Sequence, residues 1–221
     1  MTCTPPPDLE AVAWDIDGTL VDSEPLHHRA LVAGSAVFGM DLSDLPDQAY
    51  RGIHINDVWD ILRPRRPDAV AFDEWMHAIY DHYVANTHEL VPVPGAVETV
   101  KALAGKGVRQ VCVSNSSRRI VDANLEALGI SAFMAFSISL DDVTNGKPDP
   151  EPYRTAVERL NLAPPAVAAV EDSNTGARSA DEAGLYVVGY TPSGGGFGRV
   201  DLAVDDLAEV TALFPARAAG G

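Results

Sequence analysis

A doubly wound parallel α/β sheet, with an all-helical segment inserted after its first strand, is predicted from three observations. Short, almost wholly apolar runs alternate with segments of helical periodicity through the second half of the chain. The runs are apolar at successive positions rather than at every second one, as expected of strands covered on both faces. Residues 25–90, in contrast, show helical periodicity and no convincing strand. Strand–helix alternation outside that segment defines the parallel sheet.

Taken in order, "AVAWDI" (11–16) is the first strand. "PLHHRALVAGSAVFG", the short "NDVWDILR" and "DAVAFDEWMHAIYDHYVANTHEL" are helical, and "LVPVPGA" returns the chain to alternation. "GAVETVKALAGKG" (95–107) and "SRRIVDANLEALG" (117–129) are helices that stop at glycine. Between and after them, "VRQVCVS" (108–114), "FMAFSIS" (133–139), "AVAAVED" (166–172) and "LYVVGY" (185–190) are strands. "DPEPYRTAVERLN" (149–161) opens with prolines in its first turn, where proline is tolerated, and "NTGARSADEAG" (174–184) is the last helix. The boundaries are a core of 1–24 and 91–221 and a helical cap of 25–90. "TPSGGGFG" (191–198) lacks the context of a phosphate loop and is expected to be a flexible surface turn. Trp14 stands where any apolar residue would serve, and packing against a helix is its expected role.

The chain has 221 residues and a formal net charge of −16, with no compensating basic block. That balance argues against binding nucleic acid or an anionic membrane. An anionic ligand would need local help from a metal, a lysine or a helix N-terminus. The two cysteines, Cys3 and Cys112, imply no disulfide framework. With no secretory pattern at the N-terminus and no run long enough to span a bilayer, a cytoplasmic location is expected.

Ligands of open parallel sheets bind outside the carboxyl ends of the strands. There the first strand carries Asp15 and Asp17, the second Ser114 and Asn115, and a later one Glu171 and Asp172, while "DDVTNGKPDP" supplies Lys147. Crowded carboxylates repel one another, and a hard divalent cation with oxygen ligands relieves that repulsion. One aspartate could then attack phosphorus, a second could shuttle the proton, and the lysine and serine would hold the phosphoryl oxygens.

"DIDGTLVDSEPLH", "VSNSS", "GKPDPEPY" and "VEDSNTGARSADEAG" resemble, in order, the four motifs of the haloacid dehalogenase superfamily, and more narrowly its phosphatase and phosphomutase branch with a helical cap. The resemblance runs from the first strand to about Tyr190. It implies a Rossmann-like core, Asp15 as nucleophile and Asp17 as general acid/base. It further implies Mg²⁺ held by Asp15, the main-chain carbonyl of Asp17, Asp172 and, through water, Glu171. Ser114 and Lys147 would bind the phosphoryl group with backbone N–H groups near Gly18 and Asn115. Thr19 would brace the first loop, and Asp22 is read as structural. Dehalogenases of the superfamily lack the second aspartate and need no Mg²⁺, so the presence of Asp17, Glu171 and Asp172 argues against dehalogenation.

The expected activity is Mg²⁺-dependent hydrolysis of a small phosphorylated metabolite, of sugar phosphate or phosphoglycolate type, by a monomer or homodimer. The alternative is a β-phosphoglucomutase-like mutase. Against it, Ile55 stands where an arginine would be sought, and 69–89 contains neither lysine nor arginine. Cap candidates for substrate contact are His27, Arg51 and Gly52, with His54 and Asn56 on the same loop as Arg51.

Overall fold

The computed structural model describes residues 8–46, 49–50, 53, 55–192, 194 and 196–215. It divides into two compact units, one holding the chain up to Asp22 and from Val91 onward, the other Ser23–Leu90.

The first unit is built on a six-stranded, all-parallel sheet in the order β5 (Phe136–Ile138), β4 (Arg109–Val113), β1 (Ala11–Trp14), β6 (Val167–Glu171), β7 (Tyr186–Tyr190), β8 (Leu202–Val204). Its first strand, β1 (Ala11–Trp14), lies between its neighbours with every residue buried, which explains an apolar run without alternation. A two-residue strand, β2 (Val21–Asp22), leads out of this unit.

The helical unit comprises α1 (Glu24–Ala36), α2 (Ile55–Ile61) and α3 (Phe72–Ala85) with short 3₁₀ turns. Helices α1 and α3 pack closely, because Gly34 presents no side chain. A Cβ there would lie 2.7 Å from the Ile79 backbone nitrogen. Trp75, fully buried, donates its indole N–H to Ser35 Oγ at 2.9 Å, so the polar edge of the ring is satisfied. Around it, Trp59 and Phe72 complete an aromatic cluster, and the Arg66 guanidinium lies 3.6 Å over the Trp59 ring.

The chain re-enters the first unit through β3 (Val91–Pro92), which pairs antiparallel with β2, Val21 opposite Pro92. Then come α4 (Ala96–Gly105), β4 (Arg109–Val113), α5 (Arg118–Ala127), β5 (Phe136–Ile138), α6 (Glu151–Leu160), β6 (Val167–Glu171), α7 (Asn174–Glu182), β7 (Tyr186–Tyr190) and β8 (Leu202–Val204). The strand expected over 133–139 is shorter, because residues 131–133 form a 3₁₀ turn. Strand β8, and the antiparallel pair of β2 and β3, were not expected from the sequence.

Trp14 has a specific partner. Its indole N–H donates to Gln110 Oε1 at 2.9 Å, and Gln110 Nε2 donates to the Val100 carbonyl at 2.9 Å. An apolar residue would have left buried Gln110 short of a donor. The glycine-rich segment is anchored at its far end: the Phe197 ring occupies the space a Cβ on Gly189 would fill, and Gly198 N–H donates to Asn174 Oδ1 at 2.7 Å. No helix among the described residues is long and apolar enough to cross a membrane.

Candidate active site

In this strand order β4 and β5 lie on one side of β1 and β6, β7 and β8 on the other, so the winding of the chain reverses at β1. The carboxyl end of β1 is therefore the switch point, where open parallel sheets leave a crevice. Asp15 follows β1 directly, its N–H bonded to the Val170 carbonyl at 3.0 Å. The chain then turns back on itself: Thr19, Leu20 and Val21 all donate to the Ile16 carbonyl, and Gly18 N–H donates to the Val21 carbonyl. Gly18 sits at φ +89°, and a Cβ there would lie 2.1 Å from Asp172 Oδ2. Only glycine meets both demands.

Lys147 ties the strand ends together. Its Nζ donates to Asp15 Oδ1 at 2.8 Å, to Glu171 Oε1 at 2.6 Å and to the Val113 carbonyl at 2.7 Å, so the ammonium spends all three donors inside the protein. Asp15 and Lys147 are each only 8% exposed and Glu171 1%. The buried Tyr153 hydroxyl on α6 donates to the same Glu171 oxygen at 2.5 Å, and Thr19 Oγ1 donates to Asp15 Oδ2 at 2.9 Å. Thr19 thus braces the aspartate itself, not only the loop.

One lysine does not balance these carboxylates. Burial, and then the charge of Asp15, push the Glu171 carboxyl up to about 8. Asp172 reaches the surface, yet its packed surroundings and then Asp15 push it up to about 7. Burial likewise raises Asp15, although the Lys147 ammonium opposes the shift. Lys147 is held above its ordinary value despite burial, chiefly by the charges of Asp15 and Glu171. Asp15, Glu171 and Asp172 each place one carboxylate oxygen within 4.8 Å of the others. An oxygen-only donor set with surplus negative charge fits a hard divalent cation.

Asp17 is held on another side. Ser116 Oγ donates to its Oδ2 at 2.9 Å, Ser114 Oγ reaches the same oxygen at 3.3 Å, and Asn124 Nδ2 donates to Oδ1 at 3.3 Å. Asn115 has a structural use for its side chain: Oδ1 accepts from Lys147 N–H at 2.7 Å and Nδ2 donates to the Lys147 carbonyl at 2.9 Å. Gly146 leaves room for this, since a Cβ there would lie 2.7 Å from Asn115 Oδ1. Gly176, at the start of α7, makes the equivalent allowance for Glu171, whose Oε2 would lie 1.8 Å from a Cβ. Cys112 beneath the site is fully buried, and burial pushes its thiol far up, so it offers no thiolate.

The structure thus brings Asp15, Glu171, Asp172 and Lys147 into one cluster, with Asp17 fixed by Ser114. Sequence reasoning missed Tyr153, Ser116 and Asn124. His27 lies in the helical unit, its ring 4.6 Å from that of Tyr83. Arg51, Gly52 and His54 lie outside the described residues.

A cluster of carboxylates around one buried lysine at a switch point lies where open α/β sheets place their ligands. Residues 9–184 match the family model of haloacid dehalogenase-like hydrolases, and the chain belongs to that family. It is similar to a "phosphorylated carbohydrates phosphatase" of Thermotoga maritima (27% identical over 178 residues, 80% of this chain and 82% of the relative). It is also similar to phosphoglycolate phosphatase of Escherichia coli K12 (29% identical, 95% of this chain and 92% of the relative). Among solved structures, CbbY from Rhodobacter sphaeroides in complex with phosphate superposes with a TM-score of 0.83 at 26% identity, covering 93% of this chain and 99% of that one.

Proposed function

We propose that the protein is a Mg²⁺-dependent phosphatase that hydrolyses a small phosphate monoester, of sugar phosphate or phosphoglycolate type, through an aspartyl-phosphate on Asp15. The observation that carries this is the division of labour among the carboxylates. Asp15 and Glu171 share the Lys147 ammonium, while Asp17 is held separately by serine and asparagine donors.

In the first step an Asp15 carboxylate oxygen bonds to phosphorus as the bond from phosphorus to the ester oxygen breaks. The leaving oxygen takes the proton of the Asp17 carboxyl and departs as the alcohol. In the second step Asp17, now a carboxylate, takes a proton from water. The water oxygen bonds to phosphorus, the bond to Asp15 breaks, and orthophosphate leaves with Asp15 restored. Lys147 and Ser114, which without substrate donate to Asp15, Glu171, Val113 and Asp17, would turn donors toward the charge that builds on the phosphoryl oxygens, with backbone N–H groups near Gly18 and Asn115.

Mg²⁺ would be held by Asp15, Asp172 and the Asp17 carbonyl, with Glu171 acting through water, and when bound it neutralises the charge between nucleophile and phosphate. The engagement of Glu171 Oε1 by Lys147 and Tyr153 supports an outer position for that residue. Substrate selection is assigned to the helical unit. Its Arg29 is paired with Glu89, Arg65 with Asp44, and Arg66 with Trp59, so these cations are already engaged.

The test is a phosphate-release screen with Mg²⁺ across sugar phosphates, phosphoglycolate, nucleotides and acyl phosphates. Release from one compact class is expected. Conversion of β-glucose 1-phosphate to glucose 6-phosphate in the presence of the 1,6-bisphosphate, without net release, would replace hydrolysis with mutase activity.

A further inference from the structure

Helix α5 buries the face formed by Ile120, Val121, Asn124 and Leu125. Three of these are apolar, and Asn124 stands at a fourth inward position with no exposed surface. A buried amide inside a helix costs free energy unless it is hydrogen-bonded, and a leucine would satisfy this face more cheaply. The Asn124 amide points at the functional loop: Nδ2 donates to Asp17 Oδ1 at 3.3 Å, across 107 positions of sequence. The other Asp17 oxygen accepts from Ser116 Oγ at 2.9 Å and Ser114 Oγ at 3.3 Å. The two oxygens of one carboxylate are therefore held from opposite ends, one by the helix and the other by the loop that precedes it.

We propose that Asn124 is a positioning residue that, opposite Ser116, fixes the rotation of the Asp17 carboxyl so that it is aimed at the leaving oxygen. A carboxylate has one free rotation about its Cβ–Cγ bond once its χ1 rotamer is set. Donors on only one oxygen leave that rotation open, whereas donors on both close it. Proton transfer needs the carboxyl within hydrogen-bond reach of the ester oxygen, and small misplacements are expensive. The proposal rests on Asp17 being the proton donor. It adds that α5, an element outside the reacting atoms, sets the geometry of that donor.

The experiment compares kcat and KM across three phosphate esters of increasing leaving-group basicity: p-nitrophenyl phosphate, phenyl phosphate and a simple alkyl phosphate. A good leaving group needs little protonation and a poor one needs much, so loss of aim steepens the dependence on leaving group. Asn124→Asp keeps the shape of the side chain but puts a like charge against Asp17. Asn124→Leu removes the amide, and Ser116→Ala removes the opposing donor without touching α5. Asp17→Asn serves as the reference.

The expected result for both Asn124 variants is a fall in kcat/KM, which reports the ester-cleaving step alone, of about tenfold or more on the alkyl ester but only about two- to threefold on p-nitrophenyl phosphate. Ser116→Ala should move the same ratio in the same direction. An equal fall across all three esters, as a merely structural role would produce, or no fall at all, overturns the proposal. If Asp17→Asn itself shows no leaving-group dependence, Asp17 is not the proton donor, and that distinguishes failure of the underlying assignment from failure of the positioning role. Should Asn124→Leu fail to fold, Asn124→Asp and Ser116→Ala decide the matter.

Discussion

Lys147 Nζ sits 2.8 Å from Asp15 Oδ1, in a buried pair joining residues 132 positions apart in the chain. The same ammonium holds Glu171 at 2.6 Å. One cation thus joins the ends of β1, β4 and β6, and its removal should be felt in folding as well as in catalysis. Lys147→Met keeps the length of the side chain and loses the charge, leaving Asp15 and Glu171 buried without a counter-ion. Unfolding free energy in the absence of metal should drop by about 3 kcal/mol or more, read from denaturant titration. An unchanged midpoint would show that the pair contributes nothing net to the fold.

Tyr153→Phe is the gentler probe of the same cluster. The ring stays in the core and only the hydroxyl bonded to Glu171 Oε1 is lost. A loss of about 1–3 kcal/mol in thermal or chemical unfolding is expected, since a buried acceptor loses a donor. Wild-type stability would mean that the 2.5 Å contact does not stabilise Glu171.

The pH dependence of the metal-free protein has a definite sign. Glu171 moves from an ordinary 4.5 to about 8 in the folded protein, and Asp172 from 3.8 to about 7. Burial and like charge make both hold their protons more tightly when folded. The folded state therefore binds more protons than the unfolded one across that window, and stability falls as pH rises. In chelator, the melting temperature should decline from about pH 5 to about pH 8, and added Mg²⁺ should raise it more at the upper end than at the lower. A melting temperature that climbs through this interval in chelator would contradict the crowding of these carboxylates.

Gly176→Ala tests the packing behind Glu171 without removing any polar group. A methyl there would meet Glu171 Oε2 at 1.8 Å, so the carboxylate must move. Divalent-cation affinity by calorimetry should weaken at least about tenfold, as when a supporting group around a metal site is disturbed. Unchanged affinity would take Glu171 out of the cation site.

The strand ends that form the candidate site were legible because each is a local event: an apolar run that stops at Asp15, Ser114 or Glu171. Their convergence followed from the rule that parallel sheets gather their carboxyl ends. What stayed hidden depends on tertiary distance. Asn124 has the spacing of an ordinary inward helix position, and only the fold shows Asp17 beside it. Its one local signal was an amide at an inward position of an otherwise apolar helix face. Tyr153 read as core because its ring is core, and its hydroxyl matters only because it reaches Glu171 at the end of β6. Strand β8, three residues long, and the two-residue strands β2 and β3 are too short to show a period. Trp14 looked replaceable until Gln110, on the neighbouring strand, supplied the reason for an indole.

The most direct measurement is the covalent one. Enzyme mixed with Mg²⁺ and an excess of p-nitrophenyl phosphate, quenched in acid within milliseconds and digested, should yield a phosphoryl adduct on the peptide carrying Asp15. The adduct should be absent from Asp15→Asn, and turnover should be lost with it. Phosphate release from Asp15→Asn at a rate near wild type, with no adduct on the native peptide at any quench time, would show that water attacks the ester directly and that Asp15 is not the nucleophile.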